Sequence, residues 1–264
     1  MRAVALLALA LCAAGGWPVT LAPDRVDLAG YDVVIMGEVH DNPAHHRNQA
    51  EWLNRLAPKA VVFEMLTPER ADLAMQSDPD TLETSLMWGE SGWPDFAIYA
   101  PVFAAVGDAA IIGGGVERAA VRAAVRDGAA AAMGDSASVF GLNMPLPRLE
   151  AETRQSLQAE AHCGALPDDM LSGMVEAQRL RDAALARAVV AAVVSVGTPV
   201  AVITGNGHAR TDWGMPVALD HAMPTLKVLS IGQLETVPTH AQPHDALTLA
   251  PGPEGRGDPC AAFR

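Results

Sequence analysis

The sequence predicts an α/β fold, a mostly parallel sheet with helices on both faces and a helical insertion. Three observations carry this. Short apolar runs of strand length recur at residues 32–37, 60–65, 109–113, 199–205 and 226–232. Stretches of helical length, several with start or stop signals, lie between them. The runs are continuously apolar rather than alternating, which marks strands buried on both faces, as in sheets whose crossover helices cover both sides.

The first strand is DVVIMG (32–37), ending on glycine. Asp41-Asn42-Pro43 then starts a helix, because Pro at the first helical position lacks an N–H that would have no partner there anyway. That helix runs over 43–56 with Ala50, Leu53 and Leu56/Ala57 inward, and Pro58 stops it. AVVFEM (60–65) is the second strand, and Thr67-Pro68-Glu69 opens another helix. Residues 79–100 are helical or irregular and hold Trp88, Trp93 and Tyr99. AAIIG (109–113) is the third strand, followed by a helix over 116–126. Residues 127–167 are broken by Gly and Pro and give no clear element. Asp168 or Asp169 caps a long Ala-rich helix reaching about residue 196. PVAVITG (199–205) and LKVLSIG (226–232) are the fourth and fifth strands, and 246–249 reads as a late one. No linker divides residues 17–264, so they read as one domain with a helical insertion over about 67–170.

The chain opens with Met1-Arg2, an apolar run over 3–14 and small residues, the pattern of a secretory signal removed after Ala14 or Gly16. The alternative is a first buried element; the run is too short to span a bilayer as a helix. A lipid anchor on Cys12 is the lesser reading, since Leu11 stands where a lipoprotein site wants a small residue. The expected location is periplasmic or exported. A 50% hydrophobic composition allows a sizeable core. A net charge of −13 with only 18 basic residues argues against nucleic acid or anionic lipid as partner. Besides Cys12, Cys163 and Cys260 remain, and in an oxidising compartment two such thiols pair, tying the tail to the body; two free thiols are the alternative.

Open α/β sheets place their sites beyond the carboxyl ends of the strands. Glu38 and His40 follow the first strand, Glu64 ends the second, and Asn206 and His208 follow the fourth. Glu64 is the most telling, because a carboxylate in a buried strand must be paired, protonated or metal-bound. The plain alternative is an ion-pair cluster that pins the strand ends. His45 and His46 sit in the first turn of the first helix, where a cationic imidazole is disfavoured. His46 shares the inner face with Ala50 and His45 points elsewhere; they serve as neutral ligands or as surface and capping groups. Gln178, Arg181 and Asp182, at i, i+3 and i+4, either support the rim or form a solvated face. Gly113-Gly114-Gly115 lacks the Lys-Ser/Thr of a phosphate loop.

VIMGEVHDNPAHH (34–46), VVFEM (61–65), SGWPDFAIYAPVF (91–103), CGALP (163–167), AQRLRDAALA (177–186), ITGNGHARTDWGMP (203–216) and DPC (258–260) stand in this order. Together they resemble the ChaN-like haem-binding uptake family, part of the wider Tiki/TraB/erythromycin-esterase superfamily. The resemblance implies an exported haem-binding protein of iron acquisition, with haem held at a homodimer interface by tyrosine and histidine. Of Tyr31 and Tyr99, only Tyr99 lies in a matching segment, so it is the better haem ligand, with His45 and His46 beside it. Trp88, Trp93, Met65, Tyr99 and Met144 would line a flat apolar slot. Where the family often carries an Asn-Leu/Ala-Pro-like stretch after its third strand, GGGVER stands here.

The superfamily also implies a rival. Its metal-dependent proteases carry two Gly-x-x-His motifs, matched by Gly37-Glu38-Val39-His40 and Gly205-Asn206-Gly207-His208. His40, His208 and Glu64 would hold Zn, Mn or Co with positions open for a water, whose lowered pKa makes it a nucleophile. Glu38 or Glu64 would be the base. On this alternative the chain is a metal-dependent hydrolase, a peptidase or esterase, with Glu38, His40, Glu64 and His208 catalytic.

Overall fold

The computed structural model describes residues 20–258 and 260–261; the expected signal segment and Cys12 lie outside the described residues. The strands are β1 (Thr20–Leu21), β2 (Val33–Glu38), β3 (Ala60–Phe63), β4 (Ala110–Gly113), β5 (Val200–Gly205), β6 (Val228–Leu234) and β7 (Ala246–Leu249). They form one sheet in the order β1-β7-β6-β2-β5-β3-β4, every neighbouring pair parallel. The expected α/β class holds.

Both faces are buried, as the continuous apolar runs require. Val34, Met36, Val61, Phe63, Ala201 and Ile203 point into one core. Their neighbours Val33, Ile35, Ala60, Val62, Val200 and Val202 point into the other, so the period-two alternation sorts two cores rather than core and solvent. The first core is covered by α1 (Pro43–Leu56), α2 (Pro68–Gln76), α3 (Leu82–Ser85) and α4 (Phe96–Ala104). The second lies under α5 (Arg118–Asp127), α6 (Ala129–Met133), α8 (Asp168–Val196), α9 (Asn206–Ala209) and α10 (Met215–Ala222), with α7 (Arg148–Ala161) packed on α8.

Local chemistry fixes the ends of α1. Asn42 is its N-cap, the Oδ1 accepting from Ala44 N–H at 2.9 Å, and Pro43 is the first helical residue. Its inner face differs from the expectation: His45, His46, Gln49, Trp52 and Leu53 are buried, while Ala50 is partly exposed. Trp52 and Leu53 each contribute roughly 1.5–3 kcal/mol by leaving water. Opposite, α4 leans on β3 through Phe103 stacked on Phe63, ring centroids 4.8 Å apart. That contact and the Trp88 ring, 5.1 Å from Tyr99, hold Tyr99 beneath the sheet's carboxyl edge.

One expectation is corrected in detail. The N-cap of α8 is Pro167, without a side-chain cap; Asp168 and Asp169 sit in the first turn, where their charge complements the helix dipole. The uninterpreted stretch 127–167 contains α6 and the 14-residue α7. Within the 67–170 region, the strand expected at 109–113 is β4, which pairs with β3. The expected disulfide joins Cys163, before α8, to Cys260 in the tail. No helix among the described residues is long and apolar enough to cross a membrane.

Candidate functional site

The strand order makes β2, β5 and β3 the central neighbours, with Glu38 in register with Gly205 and Phe63 with Ile203. Their carboxyl ends therefore bring Glu38, Glu64 and the Gly205–His208 turn together, as expected for a site on an open α/β sheet.

Glu38 is buried, and both its oxygens are engaged. Oε1 accepts from the Tyr99 hydroxyl (2.9 Å) and from His40 Nδ1 (2.8 Å), and Oε2 from Gln49 Nε2 (2.7 Å). His46 Nδ1 stands 3.4 Å from Oε2, and its Nε2 donates to His40 O at 2.9 Å. Burial works against a charged His40, yet the bond to Glu38 and the charges of Glu64 and Glu38 lift its pKa to about 9. The His40 ring packs edge-on against Trp93, centroids 4.9 Å apart. Gly205 permits that placement: a Cβ there would lie 2.8 Å from His40 Nε2.

Glu64 sits one residue past β3. Its Oε2 accepts from Thr204 Oγ1 (2.7 Å) and from Gly205 N–H (2.8 Å). Burial opposes its charge, but His208, His40 and these two donors hold its pKa below the usual carboxylate value. His208 Nε2 is 3.5 Å from Glu64 Oε1, and His208 Nδ1 donates to Asp182 at 2.6 Å. Burial pushes Asp182 up. Against its own burial, His208 is raised by Glu64 and Asp182. Asp182 thus serves the rim rather than a solvated face, and Gln178 Nε2 lies 3.1 Å from the same Nδ1, whose N–H donates to Asp182.

Beyond this network opens a cleft of about 600 Å³ at the carboxyl ends of β3 and β4, beside α8. Glu64 and His208 border it, with Met65 and Trp93 among its walls. Gly115 brings the opposite wall in: a Cβ there would lie 2.7 Å from both Glu64 O and Leu66 O. The Gly114 and Gly115 N–H groups donate to Phe63 O and Leu66 O, so this glycine run spends its amides inside the fold.

The residues expected to hold haem, Tyr99, His45 and His46, do not line this cleft. Tyr99, His45 and His46 are each 0% exposed. The Tyr99 phenol is pushed far above its ordinary value by burial and by Glu38, so it stays protonated. His45 points inward, not outward: its Nδ1 accepts from Val39 N–H at 2.9 Å, and burial lowers its pKa to about 4. Of the expected slot, Met65 and Trp93 line the cleft, whereas Trp88 is core and Met144 is 50% exposed beside a different cavity. The weaker candidate, Tyr31, packs against the core under the sheet.

The metal alternative finds no support. His40 Nδ1 is given to Glu38, His208 Nδ1 to Asp182, and Glu64 Oε2 to Thr204 and Gly205. Among the described residues, no three His, Cys, Asp or Glu side chains are grouped to hold a metal ion. The hydrolase built on that metal is likewise unsupported. Sequence reasoning missed Gln49, although it lies three residues past His46 on the same buried stripe, and it missed Thr204 and Gln233, whose polar atoms tie strand ends together.

Residues 26–219 match the model of the family described as haem-binding uptake, Tiki superfamily, ChaN. Among solved structures, the chain is similar to ChaN of Campylobacter jejuni, described as cofacial haem binding, with TM-score 0.61 and 17% identity over 82% of this chain and 86% of that one. It is more distantly similar to the type III effector HopBA1, with TM-score 0.46 and 14% identity over 84% and 88% of the two chains. At these identities the likeness is one of fold. A search of curated proteins found no significant match.

Proposed function

Because the chain belongs to the ChaN haem-binding uptake family of the Tiki superfamily, we propose that it is an exported haem-binding protein that serves iron uptake. The family match over residues 26–219 carries this reading. Haem on this account is cargo, so the chain has only to hold and release it.

The site residues are read accordingly. Tyr99, His45 and His46 are enclosed and hydrogen-bonded within the fold and none of them borders the cleft, whereas His208, itself only 6% exposed, does. The cleft fits better. Its 600 Å³ falls within the range of small-molecule pockets, Met65 and Trp93 supply apolar wall, and His208 borders it. Asp182 on Nδ1 fixes the His208 ring and raises its basicity, as carboxylates do for metal-binding histidines, so His208 is the imidazole best prepared to meet the iron of a bound haem. Glu38, His40 and Glu64 then orient the strand ends rather than catalyse. The Campylobacter jejuni protein is described as binding haem cofacially; for this chain the same arrangement would pair two copies.

Haemin titration of the mature protein, followed by absorbance, tests the reading. A saturable Soret shift near one haem per chain is expected, weakened in His208→Gln and kept in Tyr99→Phe. A wild type without any saturable shift overturns it. Sedimentation velocity with and without haem tests the pairing of copies, and its appearance in the periplasmic fraction tests export.

A further inference from the structure

We propose that the cleft recognises its ligand as a dianion, with Arg70, Arg118 and Arg181 taking two carboxylate groups of the kind a tetrapyrrole carries. The inference rests on the haem reading for its scaffold and adds how the ligand is selected and oriented.

Three separate elements deliver these side chains to one cavity: Arg70 from the first turn of α2, Arg118 from the first residue of α5, Arg181 from the middle of α8. The chain has 31 acidic residues against 18 basic ones, so carboxylate partners are abundant. Several arginines elsewhere find them, as Arg154 does with Glu150, Arg179 with Glu176 and Arg256 with Asp41 and Glu235, while Arg47, Arg122 and Arg187 stand apart from one another without an ion pair among the described residues. Among the described residues no ion pair holds Arg70, Arg118 or Arg181, although Glu90 and Glu117 line the same cleft. The one side-chain hydrogen bond among the three runs from Arg118 Nη2 to Ser91 O, at a long 3.5 Å.

Three uncommitted guanidinium groups around one cleft, in a protein of net charge −13, form an anion site. Guanidinium matches carboxylate geometry with two parallel hydrogen bonds. Backbone amides do not compete for the role, since the Gly114 and Gly115 N–H groups are already bonded to Phe63 O and Leu66 O. Glu64 sets the direction. Its pKa is held low, so it stays anionic and repels a carboxylate from its side of the cleft. The ligand's acid edge therefore faces the arginines, and its uncharged body faces Met65 and Trp93.

The test uses metal-free protoporphyrin IX and its dimethyl ester in neutral detergent, titrated against the mature wild type and against Arg70→Gln, Arg118→Gln and Arg181→Gln. Removing a charge-assisted bond to a carboxylate is worth about ten- to a hundred-fold in affinity. The free acid is expected to bind saturably without iron, the ester at least about ten-fold more weakly, and each arginine variant to lose affinity for the acid but not for the ester. The ester arm needs no variant, so it stands even if a substitution disturbs folding. Equal binding of acid and ester, or unchanged binding in all three variants, overturns the inference. If wild type meanwhile binds haemin saturably, the haem reading survives that failure; if it binds neither haemin nor porphyrin, both fall.

Discussion

Replacing Tyr99 by Phe removes one oxygen atom and leaves the ring in place. That oxygen donates to Glu38 Oε1 at 2.9 Å from a fully buried position. A hydrogen bond to a charged group contributes about 1.5–3 kcal/mol. Glu38 keeps His40 Nδ1 at 2.8 Å and Gln49 Nε2 at 2.7 Å, so its charge is not left unpartnered and the loss stays near the middle of that range, about 2 kcal/mol. For a domain of this size each kcal/mol moves the melting temperature by about 2–4 °C, so Tyr99→Phe should melt about 4–8 °C lower. Urea denaturation gives the free energy directly, and haemin titration of the same sample separates the two roles. The expected result is lower stability with an unchanged Soret shift. Unchanged stability with a lost Soret shift would refute the reasoning and make Tyr99 a ligand.

Histidine titration gives two signed tests. His45 has its folded pKa lowered to about 4, so its contribution is complete above the unfolded value near 6.5 and is lost as pH falls toward 4. That loss is on the order of 3 kcal/mol, and His45→Asn should flatten this acid limb of the stability curve; an unchanged limb contradicts the assignment. His40 has its pKa raised to about 9, so its contribution is present below 6.5 and is lost as pH rises through 9. With its side chain 36% exposed, solvent screens that contribution, and the sharper readout is NMR, where the His40 ring should titrate near pH 9 rather than 6.5. Gly115→Ala would press a methyl group against two backbone carbonyls, Glu64 O and Leu66 O, and should destabilise by about 1–3 kcal/mol in thermal unfolding; an unchanged melt means that this wall can yield.

The fold was legible where one physical rule acted alone. Strands buried on both faces leave continuous apolar runs, and β2, β3, β4, β5 and β6 were all visible that way. Asn42, Pro43 and Pro58 fixed the ends of α1 because each acts on backbone hydrogen bonding at its own position. α4 was hidden because Pro101 lies inside it and its surroundings are apolar on every side. α7 was hidden because Gly and Pro flank it and its only well-buried residue is Arg154. At the site, Glu38, His40, Glu64 and His208 could be placed at strand ends from the sequence, since register and strand order do the rest. Which of their lone pairs were already taken could not. The bond from Tyr99 to Glu38 spans 61 residues and that from Asp182 to His208 spans 26, so the buried bond that the tyrosine of a matching motif donates could not be read from its neighbours in the chain. His45 was misdirected for a related reason: the first turn of α1 lies under Val39, whose N–H takes its imidazole inward.

The most direct test of the account is the position of iron in crystals of the haem complex, read from anomalous scattering at the iron edge. The account places the iron in the cleft bordered by Glu64, Met65, Trp93 and His208, with His208 the nearest side-chain nitrogen and Tyr99 still bonded to Glu38. Iron bonded to the Tyr99 oxygen, or lying on a surface away from that cleft, would contradict it.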